Sequence, residues 1–208
     1  MKFFWTALLV LFSFTAGNVS QSFAEERITT PPQIDLIDDA IMEKLLQASE
    51  ASEQSQLLIP LEGTWYYEFK YWVRDDAEPQ ISSGTATSEM ILNGKYLLTK
   101  TNLILNIGGQ NIPYGGWGLL GYDELKKSYV SVWADNLHAG FITGSGHYDE
   151  KQNAIEQKGS LKNPLDTKDR SYRSVIQFID SENYTQTFFI IGNSRKEFRT
   201  IEVNFERK

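Results

Sequence analysis

The feature that most constrains this chain is a change in the period of its apolar residues. Beyond Leu61, the residues Trp65, Tyr67, Phe69, Tyr71 and Val73 alternate with Tyr66, Glu68, Lys70, Trp72 and Arg74. Successive side chains of an extended strand point to opposite faces, so this alternation predicts a strand with one apolar and one mixed face. Similar segments follow at residues 85–92, 96–107, 117–122, 128–134, 141–148, 154–160, 172–179, 184–191 and 198–207. Residues 75–79, 123–127, 149–153, 163–169, 180–182 and 193–196 are turn-forming stretches. Asn93-Gly94 is the strongest hairpin signal, because both turn positions need positive φ. About ten strands with no helix between them predict an antiparallel meander rather than a parallel α/β sheet. Closing such a sheet removes its exposed edges, so the expected fold is all-β, a single up-and-down β-barrel. A two-sheet sandwich is the structural alternative.

The residues before Leu61 follow a different rule. Ile37, Ile41, Leu45 and Ala48 recur at helical spacing, which predicts a helix over residues 36–51 with Asp35 as its N-cap. One apolar stripe predicts a helix that plugs or flanks the barrel, with partner binding as the alternative. Residues 25–33 are polar, carry Pro31-Pro32 and read as a lead-in. Further upstream, Lys2 precedes the almost wholly apolar residues 3–16, and Ser22-Phe23-Ala24 places small residues three and one before Glu25. That is the pattern of a cleaved signal peptide over residues 1–24. The apolar run falls short of the ~20 residues a spanning helix needs. The expected organisation is a signal peptide (1–24), a linker with an amphipathic helix (25–60) and a barrel domain (61–208). The expected location is periplasmic or secreted, with no integral membrane segment after cleavage.

Composition narrows the function. The formal charge is −7 and becomes −8 once Lys2 leaves with the signal peptide. An acidic chain repels nucleic acid, so no nucleic-acid partner is expected. The chain has no cysteine, which excludes disulfides, thiolate metal sites and cysteine nucleophiles.

Particular residues carry a family resemblance. Leu61-Glu62-Gly63-Thr64-Trp65 opens the first strand, and Arg207 ends the last strand in phase with Ile201, Val203 and Phe205. A Gly-x-Trp start is similar to the entry motif of lipocalins and other calycins. In those barrels the Trp closes one end and a basic residue of the last strand packs across it, here as a cation–π pair of Arg207 on Trp65. Further elements extend the match over nearly the whole chain after residue 24. They are Gly84-Thr85-Ala86, Leu92-Asn93-Gly94-Lys95-Tyr96-Leu97, Gly118-Leu119-Leu120-Gly121-Tyr122-Asp123, and Tyr129 through Trp133-Ala134-Asp135. Together they resemble the bacterial family known as domain of unknown function 1579. One departure is Asn93-Gly94-Lys95, where the family pattern is Gly-Gly-Arg and a lysine lacks the planar fork. The resemblance implies a calycin-like barrel and no particular activity.

Candidate chemistry is sparse. Gly116-x-Gly118-x-x-Gly121 matches a dinucleotide fingerprint formally, but a strand rather than a helix follows, so these glycines read as bends or as wall positions without side chains. His138 and His147 are the two histidines. Asp135 and His138 read as a pair on a solvated loop, and no metal site is expected. A haem barrel needs an axial histidine in its lumen; His147, after Gly146 in a strand, is open to that reading without other support. Glu89 and Lys100 lie on strands of unsettled phase, and either is a candidate internal charge. No cofactor is expected. The aromatic set Tyr67, Phe69, Tyr71, Tyr96, Trp117, Tyr129 and Trp133 is the candidate inward face, as ordinary barrel filling or as the wall of a ligand cavity. Three functions are therefore in play. The first expectation is a binder of a small apolar or amphipathic molecule. The alternatives are an envelope interaction protein, or an isomerase, cyclase or lyase working at the barrel mouth.

Overall fold

The computed structural model describes residues 39–162, 168–191 and 196–208. The predicted signal peptide, lead-in and Asp35 cap lie outside these residues. Two helices, α1 (Asp39–Ser49) and α2 (Glu53–Gln56), and a 3₁₀ turn (Ile59–Leu61) precede ten strands. The strands are β1 (Gly63–Tyr71), β2 (Gln80–Ile91), β3 (Tyr96–Ile107), β4 (Gln110–Asp123), β5 (Ser128–Asp135), β6 (Ile142–Asp149), β7 (Ala154–Lys162), β8 (Asp169–Phe178), β9 (Asn183–Ile191) and β10 (Glu197–Arg207). Each pairs antiparallel with its sequence neighbour, and β1 pairs with β10 from Trp65 opposite Arg207 to Tyr71 opposite Ile201. The result is a closed up-and-down barrel.

Two strands begin at least five residues before the alternation predicts. β4 starts at Gln110, directly after a tight turn in which Gly108 and Gly109 take φ of 60° and 80°. Pro113 disguises this stretch. It is tolerated because β5 reaches only as far as Gly116, leaving Pro113 with a partner strand on one side alone. β2 starts at Gln80, where the inward position is Gly84. A Cβ on Gly84 would stand 2.6 Å from the ring of Tyr67, so the wall is thin here because a neighbour's aromatic ring fills the space.

The barrel is packed at one end. α2 and the 3₁₀ turn plug it with Leu58 and Leu61, both buried. Tyr129 donates from its hydroxyl to the Gln54 carbonyl at 2.9 Å, tying the plug to β5. Trp65, Tyr184 and Phe205 stack beneath, with Trp65 edge-on to Tyr184 at 4.8 Å and Tyr184 parallel to Phe205 at 4.1 Å. α1 does not act as the plug. None of its residues is buried, and Ile41, Met42, Leu45 and Leu46 are exposed. Lys95 ties its C-terminal turn to the barrel, donating to the Ala48 carbonyl at 2.6 Å. The outer wall carries ion pairs such as Lys70–Glu202 and Arg173–Glu197. No helix of the described residues is long and apolar enough to cross a membrane.

Arg207 fastens the packed end. Its guanidinium lies 4.2 Å over the Trp65 ring and donates to the carbonyls of Pro60, Glu62 and Ser181 at 2.8–2.9 Å. Trp65 in turn donates its indole N–H to Leu61 O at 3.0 Å. Replacing Arg207 with Ala removes one ring contact and leaves three carbonyls without their donor. The expected loss is about 2 to 3 kcal/mol in denaturant unfolding. Arg207→Lys recovers less than half of it, because an ammonium cannot reach three divergent carbonyls from over an indole.

Candidate functional site

Above the aromatic floor the barrel is hollow. A cavity of about 250 Å³ occupies the lumen and extends to the end opposite α2. A single water needs only ~10–15 Å³, and an apolar cavity of ~150 Å³ holds a benzene molecule. Most of the lining is apolar, with Phe69, Leu103, Ile176, Phe188 and Val203 among it. Thr101 adds a buried hydroxyl on the lumen side of β3, beside the Tyr67 phenol.

The aromatic candidates divide by strand phase. Tyr67, Phe69 and Trp133 line the cavity. Tyr129 points inward but lies below, in the packed end against Tyr122 at 5.1 Å. Tyr71 shares the inward phase of β1 and is half-buried, outside the lining. Trp117 and Tyr96 stand on the outer face. Trp117 is 62% exposed, beneath Lys100 Nζ at 5.3 Å, and the Tyr96 ring covers the outer side of Gly121. The reading of aromatic as inward fails at Trp117 because the inward positions on either side of it are Gly116 and Gly118, over which the Trp133 indole lies. A Cβ on Gly118 would sit 2.8 Å from Trp133 Cε3. The glycine spacing that imitates a dinucleotide fingerprint is therefore the seat of an indole. Glu89 and Lys100 form an outer-face pair at 3.4 Å and are not internal charges. His147 is exposed on the outer face of β6, so it supplies no axial ligand to the lumen.

Asp135 is the one Asp, Glu, Lys or Arg among the described lining residues, and it stands at the end opposite α2. This carboxylate is not solvated: its side chain is 1% exposed and lines the lumen. It accepts from Trp133 Nε1 at 3.0 Å, Tyr114 Oη at 3.3 Å, the Leu137 N–H at 2.8 Å and the His138 N–H at 2.9 Å. His138 Nδ1 lies 2.9 Å from the same carboxylate. The loop is pinned to β4 by Asn136, which accepts from the Gly115 N–H and donates to Pro113 O, both at 3.0 Å. Burial alone works to raise the carboxyl pKa. The bonds from the His138 ring and from the Leu137 and His138 N–H groups outweigh it and hold the group below its usual value. Burial, then the Asp135 charge, push the Tyr114 hydroxyl up, and burial pushes Tyr67 up to about 12. Both phenols remain protonated donors. Among the described residues no group of three His, Asp or Glu could hold a metal ion.

The aromatic set omits the lining aromatics Tyr172, Tyr184, Phe188 and Phe205, and it omits Tyr114, Asp135 and His138 around the carboxylate. One signal for Asp135 was present, since it continues the inward alternation Tyr129, Ser131, Trp133 by one more step. Tyr114 was hidden by the proline that disguises the start of β4.

Two outcomes test this geometry. Asp135→Asn turns an acceptor toward several donors into a group that also donates, and it should cost about 1 to 3 kcal/mol at neutral pH. The folded carboxyl pKa lies below the unfolded one, so its stabilisation is full above ~3.9 and fades as pH falls through the folded value. The gap between wild type and Asp135→Asn in urea midpoint should therefore hold from pH 7 to 5 and close toward pH 2. Gly118→Ala should displace Trp133 and red-shift its emission, at a cost of about 1 to 3 kcal/mol.

Comparison with known proteins bears on the fold and the family. The crystal structure of Rv2717c from M. tuberculosis matches with a TM-score of 0.51 and 17% identity, over 76% of this chain and 99% of that one. This likeness shows the fold alone. A redesigned β-barrel matches with a TM-score of 0.37 and 11% identity, over 77% of this chain and 99% of that one. No curated protein matches the chain. The profile of the family described as "Protein of unknown function (DUF1579)" matches residues 50–207, from just before α2 to the latch residue Arg207. The chain belongs to that family.

Proposed function

We propose that the protein is an exported carrier that holds a small apolar or amphipathic molecule inside its barrel. The observation that carries this reading is the lumen of about 250 Å³, mostly apolar along its wall and carrying the Asp135–His138 pair at one end. Ligand cavities combine these features: apolar area supplies affinity, and a few fixed polar groups supply orientation. An interior meant only to stabilise the barrel would be filled, because each unfilled methyl-sized space costs about 1 kcal/mol. Export rests on Lys2, the apolar residues 3–16 and Ser22-Phe23-Ala24.

Native mass spectrometry of the protein purified from its own host tests both parts. The expected result is a chain beginning at Glu25 that carries a small-molecule adduct. Leu103→Trp, which fills the lumen from β3, should remove the adduct and leave the fold intact by circular dichroism. A bare wild-type protein that also fails to gain thermal stability from a host lipid extract would sink the carrier reading. An N-terminus that still carries residues 1–24 would sink export.

A second reading, an interaction protein of the envelope, is favoured by α1 alone. Its Ile41, Met42, Leu45 and Leu46 form an exposed apolar stripe. Removal of residues 39–49 would abolish partner capture in that case and leave lumen binding untouched.

A further inference from the structure

The Asp135 end of the lumen has a defined hydrogen-bonding polarity. Asp135 is saturated by protein donors from Tyr114, Trp133, Leu137 and His138, and has nothing left to offer a ligand. Facing a carboxylate, His138 Nδ1 must carry its proton, which fixes the tautomer. In its neutral form the ring exposes Nε2 as a bare acceptor. No hydrogen bond to Nε2 is formed among the described residues, and His138 lines the cavity with its side chain 35% exposed. Among the described lining residues there is no Lys or Arg, so the wall offers no cation to a carboxylate headgroup, and its one charge is negative.

We propose that His138, oriented by Asp135, is the polar anchor of the lumen and takes the hydroxyl of an otherwise apolar alcohol or phenol. This deepens the carrier reading and rests on it. The ligand hydroxyl donates to Nε2, and the apolar body lies along Phe69, Phe188 and Val203. A fatty carboxylate is selected against, because it would bring a second negative charge beside Asp135 with no counter-ion. A hydrocarbon of the same shape enters but leaves Nε2 unpaired, and a site built for a hydroxyl discriminates against that loss. Asp135 is a positioning residue here. It holds the imidazole and its tautomer, while His138 makes the contact.

Three isosteric probes separate these cases: p-cresol, p-xylene and p-toluate. Calorimetric titration of the full chain should show p-cresol about tenfold tighter than p-xylene, the worth of one hydrogen bond, and no binding of p-toluate. His138→Phe should leave p-xylene affinity unchanged and bring p-cresol down to it. In wild type, the His138 Nε2 nitrogen resonance should shift with p-cresol and not with p-xylene. Equal affinity for cresol and xylene in wild type overturns the anchor and leaves the lumen reading standing. Preference for p-toluate, or a cresol preference that survives in His138→Phe, overturns it as well. Failure of all three probes to bind overturns the lumen reading and the anchor together.

Discussion

The barrel depends on a single seam. An up-and-down meander becomes a barrel only where its first and last strands meet, and here β1 and β10 meet with Trp65 opposite Arg207. Arg207 binds carbonyls on both sides of the seam, from Pro60 and Glu62 before β1 and from Ser181 in the turn before β9. The approach is close enough that Gly63, at φ 136°, could carry no side chain without striking the guanidinium. One cation thus joins the plug, the seam and the floor of aromatic rings. With closure and packing concentrated at that end, the opposite end is free to stay hollow.

The hollow end has its own organising group. An aspartate at the end of a strand commonly caps the following turn by accepting from N–H groups two and three residues on. Asp135 does so through Leu137 and His138. Because β5 carries Tyr129, Ser131, Trp133 and Asp135 on its inward face, that capping carboxylate also lies in the lumen wall. Trp133 beside it and Tyr114 from β4 remove it from water without leaving it unpaired. A local turn device has become the electrostatic centre of a cavity. Its consequence is the fixed tautomer of His138.

Legibility in the sequence followed the number of neighbours a decision required. Strand period needs only one segment, and the ten strands were readable from alternation, turn residues and the two ends of the seam. Which face points inward needs a second strand wherever both faces carry apolar residues. Trp117 reads as core until Gly116 and Gly118 are seen to lie under the Trp133 ring, and Tyr96 reads as lumen until Gly121 is seen to lie under Tyr96. In each pair a glycine on one strand accepts an aromatic ring from the next, and neither strand shows this alone. The exposure of α1 is a third case. Its stripe announces a buried helix, but the plug position is filled by the shorter segment of α2 and the 3₁₀ turn, which carries Leu58 and Leu61.

The candidate site was least legible because its chemistry is relational. Asp135 and His138 three residues apart on a loop describe countless solvated turns. What distinguishes them is a third and fourth partner, Trp133 and Tyr114, and burial that only the assembled barrel provides. The same relation decides what the pair can do. A solvated aspartate would share its histidine with water and leave both ring nitrogens exchangeable between roles. A buried one, saturated by donors, commits Nδ1 to donation and Nε2 to acceptance. The selectivity of such a lumen would then come from the direction of one lone pair, with the apolar wall setting only the size of what enters.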